Sequence, residues 1–76
     1  MNTTKNRISI LLKRMNLSQK EFSALTGVDG AIICRILKGN SEPSALVLRR
    51  IAETTNVSPS WILGFGVDEN IEKIIK

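Results

Sequence analysis

The chain has 76 residues, 42% of them hydrophobic and only 4% aromatic, which admits one small domain with an aliphatic core. A single cysteine rules out an internal disulfide, and apolar runs such as Ile8 to Leu12 are far too short to span a bilayer. The net charge of +4 is uneven: residues 1–50 hold nine Lys/Arg against three Asp/Glu and residues 51–76 two against four, so the first two-thirds would draw a polyanion.

Met1 to Thr4 reads as a frayed end. From Lys5 to Met15 the residues Ile8, Leu11, Leu12 and Met15 fall at i, i+3, i+4 and i+7, which predicts an amphipathic helix stopped at Asn16. Its remaining positions include Lys5, Arg7, Lys13 and Arg14. Ser18 caps a second helix, with Glu21 three residues on to complete a capping box and with Phe22 and Leu25 expected inward. Gly27 supplies the turn, since glycine takes positive φ without steric cost. Asp29 then caps a third helix that runs to about Lys38 and stops at Gly39.

Wound at 100° per residue, that third helix has two unlike sides. Ile32, Ile33 and Ile36, with Leu37 at the border, make an inward face. Gly30, Ala31, Cys34, Arg35 and Lys38 make an outward one. Pro43 denies Glu42 the helical region, so Asn40 to Ser44 is a loop and Ser44 caps a fourth helix over Ala45 to Thr55. Leu48, Ile51 and Ala52 are its core positions, with Val47 at the margin. Ser58-Pro59 is a cap followed by a first-turn proline, which predicts a fifth, short helix through Trp61, Ile62 and Leu63 to Gly64. Asp68 could cap a further short helix carrying Ile71, Ile74 and Ile75 on one side. No stretch alternates as a strand would, so the fold class is all-α with short connections.

The ordered set Leu17-Ser18-Gln19, Gly27-Val28, Ile33, Ile36, Gly39, Pro43-Ser44, Ile51-Ala52 and Val57-Ser58-Pro59-Ser60-Trp61-Ile62-Leu63-Gly64 resembles the helix-turn-helix domains of the phage-repressor and Cro type. The resemblance covers about Arg7 to Gly64. It implies a five-helix repressor-like domain over residues 1–66, followed by a C-terminal extension over 67–76. It also implies a third helix that enters the DNA major groove, and dimers on two-fold operators. Carried over by position, Gly30, Ala31 and Arg35 stand where such proteins read bases, with Cys34 on the same side. Gln19, Lys38 and Asn40 stand where they touch phosphates. Arg35 offers a fork matched to guanine O6 and N7, and Ala31 can meet only a thymine methyl. A helix N-terminus beside Gln19 would attract phosphate.

The chain departs from that pattern at three places. Relatives often carry longer polar side chains at Gly30 and Ala31, so base reading rests mainly on Arg35 and could lean on DNA shape. Glu42 replaces a frequent basic residue. Leu12 and Leu37 stand where some relatives pair an arginine with a glutamate, and an apolar pair is a workable substitute.

The apolar set Trp61, Ile62, Phe65, Val67, Ile71, Ile74 and Ile75 is the expected dimer seam, with Trp61 also able to close the core. Cys34 reads as small filler rather than a redox switch. No catalytic, metal or cofactor site is expected, because histidine, metal-ligand spacing, an activated nucleophile and phosphate-binding loops are all missing from the sequence. The expected function is a sequence-specific DNA-binding transcriptional regulator, a small repressor of phage or mobile-element type. Double-stranded DNA and a second copy are the expected partners, and the reducing cytoplasm is the expected compartment. A protein-interaction module that kept the fold and lost DNA reading is the alternative, and a nucleic-acid enzyme would need a hidden metal site.

Overall fold

The computed structural model describes residues 3–66, which form α1 (Thr3–Met15), α2 (Gln19–Thr26), α3 (Gly30–Leu37), α4 (Ala45–Thr55) and α5 (Pro59–Ile62). No strand occurs among the described residues. The further helix expected after Asp68, with Val67, Ile71, Ile74 and Ile75, lies outside them. No helix of the described residues is long and apolar enough to cross a membrane.

Each helix is short, and local chemistry sets its ends. Ser18 accepts a hydrogen bond from the Glu21 amide at 3.1 Å, and the Glu21 carboxylate accepts from the Ser18 amide at 2.8 Å, closing the capping box. Asp29, Ser44 and Ser58 cap α3, α4 and α5 with their side-chain oxygens. Three helices end in the same left-handed device. Behind α1, Asn16 (φ 57°) donates to the Lys13 carbonyl and Leu17 to the Leu12 carbonyl. Gly39 and Asn40 repeat this pair of bonds behind α3, and Gly64 and Phe65 repeat it behind α5.

The helices close around one core. Ile8 and Leu11 from α1, Phe22 from α2, Ile33 and Ile36 from α3, Ile51 from α4 and Ile62 from α5 are all fully buried. Val28, Val57 and Trp61 fill the joints between them. α3 packs on α1 and α2, α4 on α2 and α5, and α5 on α1. Truncating one of these isoleucines to alanine would cost about 2–5 kcal/mol, a large share of what so small a domain has.

Two expectations change. Thr3 and Thr4 are not frayed: both belong to α1, and Thr4 is buried. Thr3 lies against Gly64, where an added Cβ would stand 2.5 Å from the Thr3 methyl. Leu25 is not inward but 47% exposed, because Thr26 takes the buried position one turn after Phe22. The Thr26 hydroxyl donates to the Phe22 carbonyl and accepts from the Val28 amide, so burying it leaves no polar atom unpaired. Arg7, outside the apolar stripe of α1, is partly buried. Its guanidinium lies 4.6 Å from the Trp61 ring centre and donates to the Trp61 and Gly66 carbonyls, fastening the end of α5 to α1.

Candidate nucleic-acid interface

The pair α2–α3 is held by a turn stitched more tightly than one glycine requires. Gly27 (φ 74°) ends α2 by donating to the Ser23 carbonyl. The Ser23 hydroxyl donates to the Val28 carbonyl, and Thr26 holds the Val28 amide. Val28 itself is buried, which pins the turn to the core. α2 and α3 are therefore fixed relative to each other by three consecutive residues, Thr26, Gly27 and Val28, and one serine upstream. An element that must present a constant outer surface needs this rigidity.

The outer side of α3 is as its periodicity requires. Ile33 and Ile36 are fully buried, and Ile32 and Leu37 are half-buried against the core. Gly30, Ala31, Arg35 and Lys38 are exposed, and Cys34 between them is half-buried. Gln19 at the start of α2 and Asn40 after α3 are exposed as well. Asn40 is placed by its backbone, whose amide donates to the Arg35 carbonyl at 3.0 Å. Six of the seven residues assigned by resemblance thus reach solvent. Leu12 and Leu37 are both half-buried on the core side, so the interhelical position needs no ion pair.

The two helix starts differ in what they leave open. In α3 the Asp29 carboxylate takes the Ala31 amide at 2.8 Å, and the Asp29 carbonyl takes those of Ile32 and Ile33. Only the Gly30 amide of that turn has no partner among the described residues. In α2 the capping box takes the Ser18 and Glu21 amides, which leaves those of Gln19 and Lys20 open. Two adjacent N–H groups at a helix start, with the exposed Gln19 and Lys20 side chains, can hold one phosphate. The Glu21 carboxylate stands at the same end and weakens that pull. Lys20 is the second residue after the capping Ser18, a place legible in the sequence.

One further cation reaches the turn of the motif. On α4, Arg49 and Arg50 are exposed, and Arg50 extends a guanidinium nitrogen to 3.2 Å from where a Gly27 Cβ would sit. Glu42 is exposed in the loop between α3 and α4.

At the other end of the chain, Trp61 (6% exposed) and Ile62 (fully buried) belong to the core. As seam residues they are corrected: their side chains already pack inside their own subunit and have little surface to give a second copy. Phe65, at 68% exposed, and Leu63 keep theirs.

The helix-turn-helix family model matches residues 8–62. The chain is also similar to a Haemophilus influenzae protein described as an uncharacterized HTH-type transcriptional regulator. The two are 41% identical over 56 residues, which cover 74% of this chain and 23% of that protein. The chain thus spans about a quarter of the length of the curated relative it matches. No solved structure matches it at a significant level.

Proposed function

The chain belongs to the helix-turn-helix family, and on that footing we propose that it is a sequence-specific DNA-binding transcription regulator, a small repressor of phage or mobile-element type. The observation that carries this is the exposed stripe on α3, with Arg35 and Lys38 bare to solvent over an isoleucine back. In this reading α3 lies in the major groove. Arg35 reads a guanine, Ala31 meets a thymine methyl, and Gly30 lets the backbone come close. The open amides of Gln19 and Lys20 hold a phosphate on one side of the groove, and Lys38 with Asn40 holds one on the other.

Two copies would set their α3 helices about 34 Å apart, in successive major grooves of an inverted-repeat operator. A promoter site so occupied is closed to polymerase. Phe65 supports the dimer as an exposed aromatic at the end of α5.

Selection of bound duplexes from a random pool tests the proposal. A recovered consensus with two-fold symmetry is the expected result, and affinity for it should fall steeply with salt. A pool that stays random after selection refutes sequence reading. The second reading, a protein-binding module on the same fold, is favoured by one feature: Gly30 and Ala31 bring no polar group to the start of α3. Absence of duplex binding even at low salt would select it.

A further inference from the structure

We propose that the Asp29 carboxylate determines part of the sequence preference: one oxygen caps α3, and the other accepts the exocyclic amino group of a cytosine in the major groove. The proposal rests on the DNA reading above and adds to it a base contact beyond those of Arg35 and Ala31.

Asp29 stands where the buried turn meets the open end of the helix. Val28 before it is 4% exposed, while Asp29 and Gly30 both reach solvent. With φ −53° and ψ 134°, Asp29 lies off the helical path, at the leading end of α3 rather than on one of its sides. In a recognition helix that end meets base edges. The carboxylate is also held in place. Its Oδ1 accepts the Ala31 amide at 2.8 Å, and the Asp29 carbonyl accepts the Ile32 and Ile33 amides. Oδ2 makes no hydrogen bond, and the carboxylate no ion pair, among the described residues. An acceptor already oriented by its cap thus keeps half its capacity open.

The neighbours suit so short a side chain. Gly30 has no Cβ and Ala31 a single methyl group, so neither holds the start of α3 away from a base. None of the five residues between Asp29 and Arg35 carries a side-chain nitrogen or oxygen. Without Asp29, the leading turn of α3 would offer a base edge no polar side chain. Arg35 follows six residues later, roughly 9 Å along the axis. The bases met by the two residues then lie within about three steps of each other.

Acceptor chemistry selects the base. An ionised carboxylate can only accept hydrogen bonds. In the major groove guanine presents two acceptors, and thymine an acceptor and a methyl group, so both oppose it. Adenine offers its N6 amino group, but N7 beside it is an acceptor turned to the same carboxylate. Cytosine offers N4 with no acceptor on its own groove edge. Phosphates repel the same charge, so Asp29 weakens binding wherever the matching pair is missing. It raises discrimination rather than affinity.

Asp29→Asn and Asp29→Ser, made in the full chain, test this because both residues still cap a helix. Competition binding over single-base operator variants gives the preference, and anisotropy on a random duplex at low salt gives the background. Thermal unfolding reports the cap. The unaltered chain should favour cytosine at one position of each half-site by about tenfold. Asp29→Asn should move that preference to adenine, whose N6 and N7 an amide matches, and Asp29→Ser should flatten it to within about twofold. Preference at the Arg35 position should stay as it was in both. Each variant should bind the random duplex about threefold more tightly, since a charge near phosphates is gone. Capping alone cannot produce these changes, because losing a cap lowers stability and affinity together for every sequence. Cytosine preference that survives in both variants overturns the inference, as does its absence from the unaltered chain. So does a loss of affinity for all duplexes in step with a lower unfolding midpoint. An unaltered chain that holds no duplex at low salt sinks the DNA reading and this contact with it, whereas a firm consensus that neither variant alters sinks the contact alone.

Discussion

Gly30→Ala separates folding from DNA contact more cleanly than any other change in the chain. Gly30 opens α3 without a positive φ, and the nearest atom to an added Cβ is the Ser23 hydroxyl at 3.7 Å, an ordinary contact. Ser23 need not move, and its bond to the Val28 carbonyl is undisturbed. The folded state therefore accepts the methyl group, while the unfolded chain loses freedom, which stabilises by about 0.4–1 kcal/mol. For a domain of this size that raises the midpoint of thermal unfolding by roughly 2–8 °C. The methyl points to solvent, on the side assigned to DNA. If the backbone there lies against a duplex, one extra methyl crowds the contact by about 1–3 kcal/mol, a loss of about five- to 150-fold in affinity. Thermal unfolding and fluorescence anisotropy on a selected duplex give both numbers from one preparation. A more stable protein that binds worse is the expected outcome. Affinity within twofold of the original would refute close approach at Gly30, and a drop in stability would refute the geometry around Ser23.

Gly64→Ala should destabilise by about 2–4 kcal/mol, combining the cost of φ +106° with the crowding of Thr3. Adding Thr3→Ser should return only the crowding share, so strict additivity in urea unfolding would contradict the contact. Ser18→Ala removes the capping hydroxyl and should lower stability by about 1 kcal/mol, and an unchanged unfolding midpoint would contradict the capping box. Arg35→Ala should relax preference at one operator position by about 1–3 kcal/mol. Lys38→Ala should weaken all sequences alike and flatten the salt slope by about one unit. Competition binding over single-base operator variants tells these apart, and unaltered preference after Arg35→Ala would remove that residue from base reading.

Much of the fold could be read from the chain because its helix ends are set by neighbours in sequence. Ser18 with Glu21, Asp29, Ser44, and Ser58 with Pro59 each act within three residues, and each lies where the pattern puts it. The bare stripe of α3 could be read for a similar reason, since 100° steps fix which residues share a side. What stayed hidden depends on partners far along the chain. Thr3 and Thr4 join α1 because Gly64 and the core receive them, and Arg7 is held by the distant Trp61 and Gly66 carbonyls. Leu25 was misplaced because a polar residue outcompeted it for the interior. Thr26 could do so only with both its hydroxyl bonds made locally.

The way α3 is terminated has a consequence for how such a protein can change its target. Its front is closed by Asp29 and its rear by the Gly39 stop, while Ile33 and Ile36 hold it from behind. None of these fastenings uses the side chains of Ala31, Arg35 or Lys38. If α3 enters the groove as proposed, those positions would act as an exchangeable reading head: their letters could be rewritten, and a new operator acquired, while the scaffold beneath keeps its stability.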